Sequence, residues 1–181
     1  MKTILAAGLV ALASFTPVTF AAEASELSVK QSIRINAPPE AVWSVIGDFN
    51  GLPRWLSAIE SSEIVLGSNN QPGAIRQLTR RNGTKVTEKL LDYDPHNMRL
   101  AYTYVDGAVM ASDYFPVLSV HADSDGTSVV EWTAHFRRLA YAVDPPPPGQ
   151  DDKSMTDLYN GIYKAGLESL KRVVESAQEG R

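Results

Sequence analysis

The C-terminal segment constrains this chain most. Met155, Leu158, Tyr159, Ile162, Tyr163, Leu167, Leu170, Val173 and Val174 recur at helical spacing and form one wide apolar stripe, running to about Ala177. Asp151 and Asp152 stand ahead of it, where acidic groups favour a helix N-terminus. This is the longest helix that the sequence predicts. Most of what precedes it reads as strand, so the stripe has to be buried against a sheet.

Strand signals fill the middle of the chain. Segments 27–36, 59–66, 74–80, 85–93, 98–105, 113–121 and 128–138 alternate apolar with polar residues or are rich in β-branched and aromatic ones. Turn residues separate them: Asn69 to Gly73, Asn82-Gly83, Asp94 to Asn97, and Asp125-Gly126. The proline run from Asp144 to Gly149 reads as a stiff extended connector.

One interruption stands out. After the first strand, Pro38 and Pro39 suit a helix start, where a missing N–H costs nothing. Val42, Trp43, Ile46 and Phe49 then share a helical face, Gly47 is a stop, and 52–56 reads as a second short helical turn. An antiparallel meander followed by one amphipathic helix can bury both by curling round the helix. The predicted fold is α+β: a curved seven-stranded antiparallel sheet around a long C-terminal helix, with two short helices after strand 1 closing one end of the gap.

The chain has 181 residues, 44% of them hydrophobic and 21% charged, which suits one domain with one sizeable core. The formal net charge is -4 and no Lys/Arg run marks a basic face, so nucleic-acid binding is not expected. The first residues differ in kind. Lys2, an apolar stretch over 4–15, Pro17 and small residues around Ala21 and Ala24 are the pattern of a secretory signal peptide. The expected division is a signal peptide over 1–24, cut after Ala21 or Ala24, and one folded domain over 25–181. The apolar stretch is shorter than the ~20 residues that a membrane span needs. There is no cysteine, which excludes thiol catalysis and thiolate metal ligands. An exported chain without disulfides points to a bacterial periplasm.

Other chemistry is missing from the sequence. His96, His121 and His135 have no ligand spacing, so no metal site is expected. There is no Gly-x-Ser-x-Gly elbow and no phosphate-cradling glycine loop. "DSDG" at 123–126 lacks the rest of a calcium loop. No cofactor is expected.

Alternation supplies site candidates. Met98, Leu100, Tyr102 and Tyr104 share one strand face, and Val130, Trp132, Ala134 and Phe136 share another. These are the inward faces if the sheet has one wet side. Two readings stand: plain core packing, or the wall of a cavity. Tyr102, Tyr104 and Tyr114 favour the cavity, because a buried tyrosine needs a partner for its hydroxyl. On the helix, Leu158, Ile162 and Gly166 lie on the stripe. A helix-interior glycine costs ~1 kcal/mol relative to alanine, so Gly166 is read as leaving room above the sheet for a ligand, with close packing as the other reading.

Several stretches together resemble a known family. They are "INAPPEAVWSVIGDFNGLPRWL", "GAIRQLTRRNG", "EKLLDYDPHNMRLAYTYVDG" followed by "SDY", and "GTSVVEWTAHF". Their order and spacing are similar to the START-like, birch-pollen-allergen (SRPBCC) superfamily, and within it to the bacterial polyketide cyclase/dehydrase and lipid-transport group. Plant hormone receptors of that superfamily show a similar layout, including "AVD" before the last helix. The resemblance implies a helix-grip fold with an apolar cavity between sheet and helix. It also implies polar cavity groups at Glu60, Arg76 and Glu88. Glu88 shares a strand face with Val86 and Leu90, and Arg76 with Ala74 and Leu78. A buried carboxylate is costly unless paired, so Arg76 is expected to pair with Glu88 or Glu60; the other reading is exposed strand charges. Where the plant receptors carry a lysine, this chain has Glu60, which argues against recognising an acid ligand by the same route.

Three functions follow. The first is an exported, non-enzymatic binding protein for an apolar or amphipathic small molecule, lipid-like or aromatic. The second is a polyketide cyclase-type enzyme with Glu88 or Glu60 as base and Arg76 or a tyrosine stabilising an enolate. The third is an accessory protein that docks on a periplasmic partner in an oxidation system.

Overall fold

A computed structural model describes residues 25–180. The expected leader over 1–24 and both of its cut sites lie outside the described residues. Seven strands form one antiparallel sheet: β1 (Leu27–Ile35), β2 (Ile59–Leu66), β3 (Ile75–Arg80), β4 (Lys85–Asp94), β5 (Arg99–Gly107), β6 (Ala111–Ala122) and β7 (Ser128–Arg138). Between β1 and β2 come the helix α1 (Pro39–Ile46) and a 3-10 turn (Phe49–Arg54), and the chain closes with α2 (Asp152–Glu179). The seven strands, two short helical pieces and terminal helix of the sequence reading are all present.

Sheet order explains the interruption after β1. Strands run β1-β7-β6-β5-β4-β3-β2, so two strands consecutive in sequence stand on opposite edges. The segment between them has to cross the whole width of the sheet. Pro39 occupies the first turn of α1, and Val42 and Ile46 bury its inner face. Gly47 ends the helix, where a Cβ would lie 2.5 Å from the Trp43 ring. Asp48 then caps the 3-10 turn, accepting from the Asn50 N–H at 3.0 Å and from Asn69 Nδ2 at 2.7 Å. Asn70 accepts from the Phe49 N–H at 2.8 Å, so the β2–β3 loop grips the crossing segment. The crossing therefore closes one end of the sheet as a fixed wall.

Register shifts curve the sheet. They fall in β2–β3 between Ile59 and Ser61, in β4–β5 at Thr87/Glu88 and Leu90/Asp92, and in β6–β7 between Ser112 and Phe115. An extra residue on one strand bends it and raises the local twist. The concave face receives α2. Asp151 caps that helix by accepting from the Ser154 N–H at 2.9 Å, and Arg138 at the end of β7 reaches Asp152 at 3.1 Å. Along its length α2 is tied to β1: Gln31 Nε2 donates to Asn160 Oδ1 at 2.9 Å, and Lys171 Nζ donates to the Arg34 carbonyl at 2.8 Å.

The buried stripe of α2 is Met155, Tyr159, Tyr163, Gly166, Leu167, Leu170 and Val174. Leu158 (43% exposed) and Val173 (36% exposed) are corrections to the predicted stripe. Each precedes a buried residue by one position, which turns it about 100° off the buried line. Because α2 lies over the β1–β7 side, this flank is left facing solvent.

A tyrosine-walled cavity between sheet and helix

The space between the concave sheet and α2 holds a cavity of about 170 Å³. Val86, Glu88, Tyr102, Tyr104, Tyr114 and Trp132 line it from the sheet, and Tyr159, Ile162 and Tyr163 from the helix. Strand alternation turns the sheet residues inward, as the sequence indicated for Tyr102, Tyr104, Trp132 and Glu88. At its rim stand Ala58, Arg80, Met110 and Ile162, all at least partly exposed. An outer groove of about 420 Å³ shares Leu56, Ala58 and Ile162 with the cavity and continues past Leu158 and Gly161.

Aromatic rings build the walls. Tyr104 and Tyr114 stack at 4.3 Å and 18°, and Trp132 stacks on Tyr163 at 4.1 Å and 7°. The tyrosine hydroxyls pair across the gap: Tyr114 with Tyr163 at 2.7 Å, and Tyr104 with Tyr159 at 3.3 Å. The sequence alone places Tyr159 and Tyr163 only in the apolar stripe and misses them as cavity residues. Their spacing of four, on the face turned to a tyrosine-bearing sheet, was the available signal.

Burial pushes the cavity phenols above their ordinary range. Tyr104 is raised to about 12 by burial and then by the charge of Glu88. Tyr102 goes higher for the same two reasons, opposed by the positive charge of Arg76 and the indole N–H of Trp132. Burial, then neighbouring tyrosines, raises Tyr114 further. Burial also raises Tyr159 and Tyr163. All five are neutral donors and acceptors at physiological pH.

Arg76 and Glu88 form a buried ion pair, at 3% and 5% exposure. They oppose each other in the β3–β4 register. Nε and Nη2 of Arg76 both donate to Oε2 of Glu88, at 2.9 and 2.6 Å. Nη1 donates to the Phe49 carbonyl, and the guanidinium lies 4.0 Å over the Phe49 ring. The pair thus fastens the crossing segment to the sheet. Glu88 reaches the cavity, but Arg76 lines a separate crevice of about 10 Å³ with Phe49, Leu52 and Trp55. This corrects its expected place among the ligand-facing groups: three of its N–H donors are engaged by Glu88 and Phe49, and it does not line the cavity.

Three further placements correct the sequence reading. Glu60 is exposed and does not line the cavity. It is the residue skipped by the register shift between Ile59 and Ser61, and that bulge breaks the alternation. Leu158 faces the outer groove and not the cavity. Gly166 leaves no void, because a Cβ there would lie 2.9 Å from both Leu56 Cδ1 and Trp132 Cζ3. It is small so that the Trp132 ring can approach the helix. Ile162 does line the cavity, at its rim.

Among the described residues, no cluster of three or more His, Asp or Glu side chains could hold a metal ion.

A curved antiparallel sheet, closed by a crossing segment at one end and gripping a long helix over an internal cavity, defines a helix-grip protein. The chain belongs to the polyketide cyclase / dehydrase and lipid transport family, whose model matches residues 26–175. Abscisic acid receptor PYL6 of Arabidopsis thaliana is 26% identical over 154 residues, 80% of this chain and 67% of its own. MLP-like protein 423 of the same plant is 24% identical over 123 residues, covering 63% and 78%. The solved structure of XoxI from Bacillus cereus superposes with a TM-score of 0.72 at 27% identity, over 84% of this chain and 98% of that one.

Proposed function

We propose that this is an exported binding protein for an apolar or amphipathic small molecule, held between the sheet and α2. One observation carries the reading: the cavity is walled by aromatic side chains and its rim is Ala58, Met110 and Ile162 beside a single cation, Arg80. Aromatic walls that exclude water, with a few polar groups to orient the guest, are the general build of a small-molecule site. A relative named as an abscisic acid receptor and a family described by lipid transport support it. Export rests on the charged, apolar and small-residue pattern of 1–24. Glu88 is fixed through one oxygen by Arg76, a placement that suits orienting a guest.

Native mass spectrometry of the protein purified from its own host tests the reading. A small-molecule adduct released on denaturation supports it. A bare mass in every preparation, with an unfolding midpoint that stays flat across lipids, sterols and aromatics, contradicts it.

A further inference from the structure

Two polar groups on residues that line the cavity, Trp132 Nε1–H and Glu88 Oε1, have hydrogen-bonding capacity to spare among the described residues. Trp132 is 3% exposed and its Nε1–H, a donor only, meets no acceptor. The Tyr102 hydroxyl is within reach of this N–H as a weak acceptor, but the two do not meet hydrogen-bond distance and angle. Both bonds from Arg76 go to Oε2 of Glu88, and Oε1, an acceptor only, has no described partner. Glu88, Tyr102 and Trp132 all line the cavity, and Tyr102 and Trp132 also border the crevice that holds Arg76.

We propose that this cavity takes the hydroxyl-bearing ring of a small, uncharged phenol-like molecule, with the hydroxyl donating to Glu88 Oε1 and accepting from Trp132 Nε1–H or the Tyr102 hydroxyl. The inference rests on the binding role proposed above and specifies its ligand. A hydroxyl both donates and accepts, so it answers a donor-only and an acceptor-only group at once. A hydrocarbon ring leaves both buried against carbon. A carboxylate has no proton for Glu88 and places like charges together in a low-dielectric space. The cation on the wall, Arg80, is engaged with the Ala108 carbonyl at 2.9 Å and Thr84 Oγ1 at 3.3 Å.

Size and shape agree. A dry apolar cavity of roughly 150 Å³ holds benzene, and this one is about 170 Å³. The stacked Tyr104–Tyr114 and Trp132–Tyr163 pairs all border the cavity and supply aromatic carbon to its wall. A substituent opposite the hydroxyl leaves between Ala58 and Ile162 into the outer groove.

Calorimetric titration of the folded protein with p-cresol, toluene and p-toluate at neutral pH tests this. The expected result is p-cresol binding at least about ten-fold tighter than toluene, the order of one hydrogen bond to a charged group, with no p-toluate binding over the same range. Tyr102→Phe and Trp132→Phe, each checked for native circular dichroism, are expected to shrink the cresol advantage to about three-fold or less. Toluene binding as tightly as p-cresol overturns the inference and leaves the binding role standing. Tighter p-toluate binding also overturns it. If none of the three binds and no larger ligand does, both fall.

Discussion

Tyr114 on β6 and Tyr163 on α2 share a hydroxyl–hydroxyl hydrogen bond of 2.7 Å across the gap between sheet and helix. Each ring also stacks on a partner from the sheet, Tyr114 on Tyr104 and Tyr163 on Trp132. The bond thus sets the spacing of the two aromatic walls. A double-mutant cycle with Tyr114→Phe and Tyr163→Phe, read by urea unfolding, is expected to give a coupling of about 1 kcal/mol, the net worth of a buried neutral hydrogen bond. Additive losses would show that the two hydroxyls do not act together.

The Arg76–Glu88 pair is buried and single, so losing one partner strands the other. Arg76→Met or Glu88→Gln alone is expected to cost about 3–5 kcal/mol. The double change Arg76→Met/Glu88→Leu is expected to recover a large part, since no charge remains to be buried. Urea midpoints of the three variants decide this. Singles no more destabilised than the double would contradict the pairing.

Two glycines on α2 have opposite roles. At Gly166 an added Cβ meets Trp132 and Leu56 at 2.9 Å, while at Gly161 nothing lies within 4 Å. Gly166→Ala is expected to destabilise by about 1–3 kcal/mol through overpacking. Gly161→Ala is expected to stabilise by about 0.5–1 kcal/mol through helix propensity. Thermal midpoints moving the same way for both would contradict the assignment.

The cavity tyrosines make the fold sensitive to alkali. An unfolded tyrosine ionises near pH 10, whereas Tyr104 is held up to about 12 and its neighbours higher by burial. The unfolded chain therefore gives up these protons first. The stability they contribute is full below about pH 10 and is lost as pH rises from there through their folded values. A urea midpoint flat to about pH 9 and falling steeply above pH 10 is expected. Phenolate absorbance of the buried tyrosines should rise with unfolding; full ionisation while circular dichroism stays native would contradict their burial.

Much of this architecture can be read from the chain because its signals are local. Alternation across Val86–Glu88–Leu90 and Leu100–Tyr102–Tyr104 turned the right side chains inward, and Asn82-Gly83 marked its hairpin, with Gly83 at a φ of +80°. The errors arise where local rules meet tertiary geometry. Glu60 is placed in the cavity by the resemblance alone, and a bulge at that point turns it outward. Leu158 was counted on the helix stripe because apolar spacing gives the width of a stripe but not which flank the sheet covers. Gly166 reads from the sequence as room above the sheet, with close packing as the other reading, and only the position of the Trp132 ring separates the two. Tyr159 and Tyr163 passed as apolar bulk, because nothing in their own segment shows that sheet hydroxyls stand opposite.

The most direct test of a guest-accepting cavity is a benzene titration followed by heteronuclear NMR, since benzene fits the space and makes no polar demand. Saturable shifts confined to the methyl groups of Leu78, Val86 and Ile162 and to the rings of Tyr104 and Tyr114 are the expected result. Shifts absent from these groups, or spread over the exposed side chains of Val105 and Phe115, would contradict it.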